Sequence, residues 1–484
     1  MKKTVTDSII KDFSAPGKSK HIHFIGIGGI SMSGLAEIAM SFWHKVSGSD
    51  LRPSNITQKL ERKGALVYHG HSEENINNPD MVVYTAAVKE DNPELRKALV
   101  ENIPVIDRAT MLGLLMKKYP YSVAVSGTHG KTTTTSMIAM IMLESGLDPT
   151  IHIGGELAYI GGTTRIGSSG YFVTEADEYC ESFLKLFPHI GVIMNIEFDH
   201  PDYYKNLEHI KNSFLKFARN VQEKGHVVAC ADNENLFSIL PLIPANIVNY
   251  GINNMSNENK ADAYTWSAKN IEHDESAGCT SYILSNKGQD IDIIKLNVPG
   301  IHNVYNSLAA ISACRLLGCD IKDIKDALLK FRAPHRRFEL KGIMNNIKIV
   351  DDYAHHPSEI KATLRAARHN SRSRIWCIFQ PHTYSRTKAL LEDFASAFAD
   401  ADIVILADIY AARETDNNEI NSEILAEKIN AHGKKAIYMA GFDDIAHYVE
   451  NNARPGDMII TMGAGDIYKV GEILLKNSPP ATAV

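Results

Sequence analysis

Several signatures are missing from this chain, and each absence closes off a class of protein. The six cysteines, Cys180, Cys230, Cys279, Cys314, Cys319 and Cys377, include no CxxC pair, which argues against a structural zinc site and a disulfide framework. They read as isolated core or surface thiols. No window holds the 18 or so apolar residues needed to span a bilayer. The opening MKKTVTDSIIKDFSAPGKSK has lysines but no apolar run of signal-peptide length. A cytoplasmic protein without membrane insertion is expected. Positive charge is not in excess either, with 51 Lys and Arg against 57 Asp and Glu for a net charge of −6. That leaves no broad basic face for a polynucleotide, so no nucleic-acid partner is expected.

What remains is ordinary globular composition, 44% apolar and 22% charged, over 484 residues. One hydrophobic core stops growing well before that length, so about three domains are expected. Strand-length apolar runs alternate with amphipathic helical stretches, the pattern of α/β domains with largely parallel sheets. The first domain, residues 1–118, holds HIHFIGI, a helix through GLAEIAMSFW, HKVSGSD, MVVYTAA and IPVI, and reads as Rossmann-like. The second, 119–332, runs through VAVSG, YFVTEAD, IGVIMNI and HVVACAD to the helix HNVYNSLAAISACRLLG. Its polar stretch NNMSNENKADAYTW and the alternating TSYILS and DIDIIKLNVPG suggest a small antiparallel appendage on a P-loop-type parallel sheet. The third, 333–484, repeats strand and helix from IKIVDDY to DMIITMG and again reads as Rossmann-like, with a frayed tail NSPPATAV.

Two glycine loops carry the chemistry. Gly127-Thr128-His129-Gly130-Lys131-Thr132-Thr133 lies between an apolar strand and an apolar helix. Backbone amides there, with the positive helix end, make a cradle for phosphate oxygens, Lys131 serves as a point charge, and a threonine hydroxyl suits magnesium. Val125 stands where the strict P-loop pattern has its first glycine. In the earlier loop, Gly26-Ile27-Gly28-Gly29, the third glycine of GxGxxG is replaced by Ser31, and Asp50 ends the next strand. NAD, another nucleotide diphosphate, or tight strand–helix packing all fit that pattern.

Carboxylates cluster beyond two further strands: Glu175, Asp177 and Glu178 in EADE, then Glu197, Asp199 and His200 in IEFDH. Carboxyl ends of parallel strands are where such sheets bind ligands, and these donors suit magnesium, although caps and turns use the same residue types. In the third domain Asp351, Asp352, His355 and His356 follow one strand, and His382 and Arg386 another. The histidine spacing does not build a tetrahedral zinc set, whereas a guanidinium fork beside an imidazole suits a small carboxylate.

With these residues assembled, the chain resembles the Mur ligases of bacterial cell-wall synthesis. The resemblance runs through GIGGISMSGLA, SGTHGKTTTT, EADE, NIEFDHPDYY, IHNVYNSLAA, HRRFE, DDYAHHPSE, FQPHTYSRT and MGAGDIY, nearly the whole chain. It implies an ATP-dependent ligase in which ATP phosphorylates the lactyl carboxylate of UDP-N-acetylmuramic acid and the amine of L-alanine attacks the acyl phosphate. The alternative is a muropeptide-recycling ligase that adds a tripeptide. By the same resemblance Lys131 and Thr132 serve the phosphates and one Mg2+, Glu175 and His200 a second, and His302, Asn303 and Asn306 the adenine side. Arg337 meets the phosphates, Asp352 the ribose side, and His355, His382 and Arg386 the amino acid. Gly28, Gly29, Asp50 and His71 are implied for the UDP-sugar. Thr383 departs from members that carry an arginine there. A monomer or homodimer is expected.

Overall fold

The computed structural model describes residues 19–253, 264–274, 278–369, 373–416 and 418–477. The N-terminal stretch up to residue 18, most of the polar NNMSNENKADAYTW segment and all but the first residue of the tail lie outside the described residues. Three sheets organise the rest.

The first sheet is β1 (His21–Ile25), β2 (Lys45–Asp50), β3 (Leu66–His69), β4 (Met81–Tyr84) and β5 (Val105–Asp107), in the order β3-β2-β1-β4-β5 and parallel throughout. Phe24 and Ile25 on adjacent positions of β1 are both fully buried, as a strand covered on both faces requires. Helix α1 (Ile30–Ser41) follows the first glycine loop directly.

The second sheet has ten strands. They are β6 (Tyr121–Ser126), β7 (Thr150–Leu157), β8 (Gly162–Arg165), β9 (Tyr171–Glu175), β10 (Ile190–Ile193), β11 (His226–Cys230), β12 (Asn246–Ile252), β13 (Trp266–Asp274), β14 (Cys279–Asn286) and β15 (Gln289–Leu296). Strand β6 sits between β9 and β10, parallel to both, so their carboxyl ends and the loops that follow converge. Helix α2 (Lys131–Glu144) is buried nearly all round and packs on α3 (Ile301–Leu316). The antiparallel ribbon β13-β14-β15 is not a detached appendage: β13 pairs parallel with β12 and extends the central sheet. Without it β12 would be an open edge.

The third sheet is β16 (Glu339–Met344), β17 (Ile347–Asp352), β18 (Ile375–Phe379), β19 (Ile403–Leu406), β20 (Ala436–Tyr438) and β21 (Met458–Met462). It is parallel except for the antiparallel edge strand β16. Helix α4 (Pro357–His369) follows β17. The expected α/β class in three units is therefore found, and among the described residues no helix is long and apolar enough to cross a membrane.

The cores are distributed unevenly. One buried cluster runs without a break from Ile22 through Leu115, Val123 and Phe172 to Phe331, fusing the first two units. The third unit has its own layers on the two faces of its sheet, such as Val350 and Phe379 on one side and Ile349 and Trp376 on the other. Its seam with the second unit includes a run of polar contacts described below, beside Phe198, which packs on both cores.

Candidate active site at the seam of three units

The loop after β6 is fixed by glycine geometry and by one asparagine. Gly130 is left-handed (φ +83), and a Cβ there would stand 2.6 Å from Asn306 Oδ1 and Met194 Cε. Asn195 Oδ1 accepts from the His129 amide (2.8 Å) while its Nδ2 donates to the His129 carbonyl (3.2 Å). The Thr128 amide donates to the Asn195 carbonyl at 3.2 Å. Those two loop amides are thus spent, whereas those of the first turn of α2 have no intrahelical acceptor. Lys131 Nζ donates to the Gly127 carbonyl (2.7 Å) and to both oxygens of Glu178 (2.9 and 2.8 Å). Burial works against the ammonium, but Glu178, Asp177 and Glu175 outweigh it and hold the Lys131 pKa above its ordinary range.

Two sets of oxygen donors flank that lysine. Thr132 Oγ1 donates to Glu175 Oε2 (3.0 Å), whose other oxygen accepts from the Gly154 amide (2.7 Å). His200, itself left-handed (φ +53), has Nε2 3.8 Å from Glu178 Oε1 and 3.9 Å from Asp199 Oδ2. Asp177, Glu178 and His200 offer ligand atoms all within 4.8 Å of one another. The structure therefore brings Thr132 to Glu175 and His200 to Glu178. Glu175 and His200 share a cavity, without a direct contact between them. Hard oxygen donors of this kind fit magnesium.

The nucleotide-side residues line a cavity of about 610 Å³ that includes Thr133, His302, Asn303, Asn306, Arg337 and Asp352. Asn303 Nδ2 donates to the Pro299 carbonyl (2.7 Å) and lies 3.1 Å from His302 Nε2, so that nitrogen accepts and Nδ1 carries the hydrogen. Nδ1 is buried without a partner. Burial pushes this imidazole down to about 4, with Arg337 adding to the fall against Glu359. Asp352 accepts from the amides of Phe338 (2.7 Å) and Ala354 (2.8 Å), yet burial lifts it to about 6. Of the paired arginines, Arg336 is tied to Asp351 (2.8 Å) and the Gly463 carbonyl (2.7 Å), while Arg337 lies over Tyr353 and reaches both main cavities.

The second cavity, about 810 Å³, takes residues from all three units: Ser31 and Arg108, Lys131 and Glu175, Arg337 and His355. His355 Nδ1 donates to the Tyr353 carbonyl at 3.0 Å, leaving Nε2 as a lone-pair acceptor. Burial lowers His355 to about 3 and His382 to about 4, so both rings are neutral. Arg386 is placed differently from a free carboxylate grip. Its Nε donates to Asp199 Oδ1 (2.7 Å) across the seam, its Nη1 to His382 Nδ1 (3.1 Å), and it is only 3% exposed. Burial would raise the Asp199 carboxyl, but Arg386 holds it far below the usual range. Neither His382 nor Arg386 lines the larger cavity.

In the first unit the Gly28 amide donates to Asp50 Oδ2 (2.9 Å), and a Cβ on Gly28 would meet that oxygen at 2.8 Å. Gly29 precedes the first turn of α1. His71 Nδ1 lies 3.0 Å from Ser49 Oγ and 3.2 Å from Glu94 Oε2. Sequence reasoning missed Glu94, Arg108, Glu178 as the partner of Lys131, Asn195 and Glu359. Arg108 had a usable signal, a cation directly after a strand end. Glu94 and Asn195 had none, because their roles depend on what the fold packs against them.

Comparison with known proteins agrees with this architecture. Residues 21–120 match the family model "Mur ligase family, catalytic domain", 125–314 "Mur ligase middle domain", and 336–465 "Mur ligase, glutamate ligase domain". The chain is 61% identical over 462 residues to the UDP-N-acetylmuramate--L-alanine ligase of Acetivibrio thermocellus, covering 96% of this chain and 97% of that protein. Among solved structures, the UDP-N-acetylmuramate-alanine ligase of Thermotoga maritima superposes with a TM-score of 0.76 at 30% identity, covering 94% of this chain and 98% of the other. A murein peptide ligase from Psychrobacter arcticus gives 0.68 at 26% identity, covering 96% and 100%.

Proposed function

Because the chain belongs to the Mur ligase family, we propose that it is an ATP-dependent ligase joining L-alanine to the lactyl carboxylate of UDP-N-acetylmuramic acid in peptidoglycan precursor synthesis. The observation that carries this reading is a cavity bordered by all three units and lined by the phosphate-loop lysine. A carboxylate is a poor electrophile until one oxygen becomes a phosphate leaving group, and phosphoryl transfer mainly needs positioning and charge neutralisation. A lactyl oxygen attacks the γ-phosphorus as the bond to ADP breaks. The amine of alanine then attacks the acyl carbon, the C–O bond to phosphate breaks, and the amine gives up a proton.

In this reading residues 1–118 present the UDP-sugar through Gly28, Gly29, Asp50 and His71. Residues 119–332 hold ATP on Gly127 to Thr133, with His302, Asn303 and Asn306 at the adenine side. Residues 333–484 bring Arg337, Asp352 and the amino-acid pocket of His355, His382 and Arg386. Thr132, Glu175 and His200, with Glu178 at hand, would hold Mg2+, which supplies charge neutralisation on the phosphates. The third unit, which has its own core, is in this reading the body that closes and excludes water from the acyl phosphate. The cytoplasm, where ATP and UDP-sugars occur, is the compartment this reaction calls for.

Phosphate release is the test, with ATP, Mg2+ and UDP-N-acetylmuramate held constant while L-alanine or the tripeptide is offered separately. Release that requires both the UDP-sugar and L-alanine supports the reading. Turnover with the tripeptide alone moves the chain to the recycling branch, and intact ATP in every mixture refutes both.

A further inference from the structure

The imidazole of His129 bridges the seam instead of hanging free in the phosphate loop. Its Nδ1 lies 3.3 Å from Glu359 Oε1, and its Nε2 lies 3.2 Å from Glu197 Oε2 and 2.8 Å from Ser358 Oγ. Each ring nitrogen faces a carboxylate, so both carry hydrogen and the ring is a cation. Glu359 belongs to the first turn of α4, and its other oxygen works on a different target. Oε2 accepts from the backbone amides of His355 (3.0 Å) and His356 (3.3 Å) and lies 3.5 Å from His355 Nδ1. One carboxylate therefore has one oxygen on the phosphate loop and the other on the turn that carries the cavity histidine.

A metal ion shared by His129, Glu197 and His356 is the competing account, since their ligand atoms are mutually close. The Ser358 hydroxyl already fills that centre, 2.8 Å from His129 Nε2, 2.6 Å from Glu197 Oε2 and 2.7 Å from His356 Nδ1. The cluster is a hydrogen-bonded one. It is also no ordinary surface ion pair, because the Glu359 side chain is only 13% exposed and that of His129 only 15%.

Resting on the ligase reading above, we infer that Glu359 is a positioning residue that couples the two half-reactions: through His129 it seats α4 on the nucleotide loop, and through the two amides it sets His355 in the amino-acid pocket. Amine capture would then depend on the loop's being in place, and Glu359, which lines both cavities, stands between the two sites.

The experiment separates the halves on the full-length enzyme. Acyl-phosphate formation is followed without alanine, by trapping as the hydroxamate with hydroxylamine in the presence of ATP, Mg2+ and UDP-N-acetylmuramate. Amide formation is followed against L-alanine concentration. Glu359→Gln is expected to raise the KM for L-alanine about tenfold, while the KM for ATP and the trapping rate move less than about threefold. His129→Gln should shift the alanine KM in the same direction, and the double variant should be no worse than the poorer single one. Glu359→Asp, which keeps the charge, should recover part of the loss. An unchanged alanine KM in Glu359→Gln, a parallel fall in trapping and ATP affinity, or multiplicative effects in the double variant would overturn the inference. If Glu359→Gln does not fold, Glu359→Asp decides alone, by a rise in its alanine KM that its ATP KM and trapping rate do not share. Wild-type protein that forms no hydroxamate removes the ligase reading itself, an outcome distinct from all of these.

Discussion

Lys131 Nζ is held by both carboxylate oxygens of Glu178, at 2.8 and 2.9 Å, in a pair whose side chains are 17% and 1% exposed. A triphosphate must compete with this carboxylate for the ammonium. Removing one partner of a buried pair leaves the other charge uncompensated, so Glu178→Gln should lose about 3 kcal/mol of stability without nucleotide. Saturating ATP analogue should restore much of it, since phosphate then serves as the counterion. Chemical denaturation with and without the analogue checks both halves, and a loss that is identical in the two would contradict the competition.

Asp199 and Arg386 pair across the seam with side chains both 4% exposed. Asp199→Asn should raise the KM for L-alanine about tenfold and cost about 3 kcal/mol, because Arg386 loses the anion that orients its fork. Steady-state kinetics against alanine, set beside denaturation midpoints, would show it. Arg386→Lys should not rescue activity, since an ammonium cannot reach Asp199 and His382 with the same planar geometry.

His129 gives a stability signature in pH. Burial lowers its affinity for a proton, but Glu359 and Glu197 outweigh that and raise it from 6.5 to about 10. A group raised in the folded state contributes stability that is fully present below its unfolded value and lost as pH rises through the folded one. Wild-type stability should therefore decline between about pH 6.5 and 10 by one proton more than His129→Gln does. Denaturation series at several pH values, compared as differences, would read this, and parallel curves would refute it.

Magnesium dependence should separate the two acidic groups. Chelation is expected to stop phosphate release and added Mg2+ to restore it. Glu175→Gln should shift the half-saturating Mg2+ concentration upward by about tenfold or more. Titration of activity against free Mg2+ is the measurement, and an unshifted midpoint would remove Glu175 from the metal site.

Much of the architecture was legible because it is local. β6, the lysine loop and α2 are contiguous, and β9 and β10 announce themselves as apolar runs ending in acid. Strands β7 and β8 were not anticipated, since TIHIGGEL and GTTR are rich in glycine and threonine and lack strong alternation. Their pairing with β9 and with each other makes them strands. The ribbon β13–β15 was legible as antiparallel, but its continuity with β12 is a tertiary fact. Arg386 illustrates the same limit in the site, because sequence shows a cation beyond a strand end but not the aspartate 187 residues away that engages it. Glu178 sat in plain view within EADE, yet only packing decides which carboxylate meets Lys131 and which meets Thr132.

The Asn195 side chain, bonded to both the amide and the carbonyl of His129, gives the backbone of the nucleotide loop a finished shape before anything enters it. A preformed receptor spends little freedom on ordering itself when a guest arrives. Capture of ATP should therefore proceed in one fast kinetic phase set by diffusion and charge, with any slower phase belonging to the swing of the third unit and not to the loop.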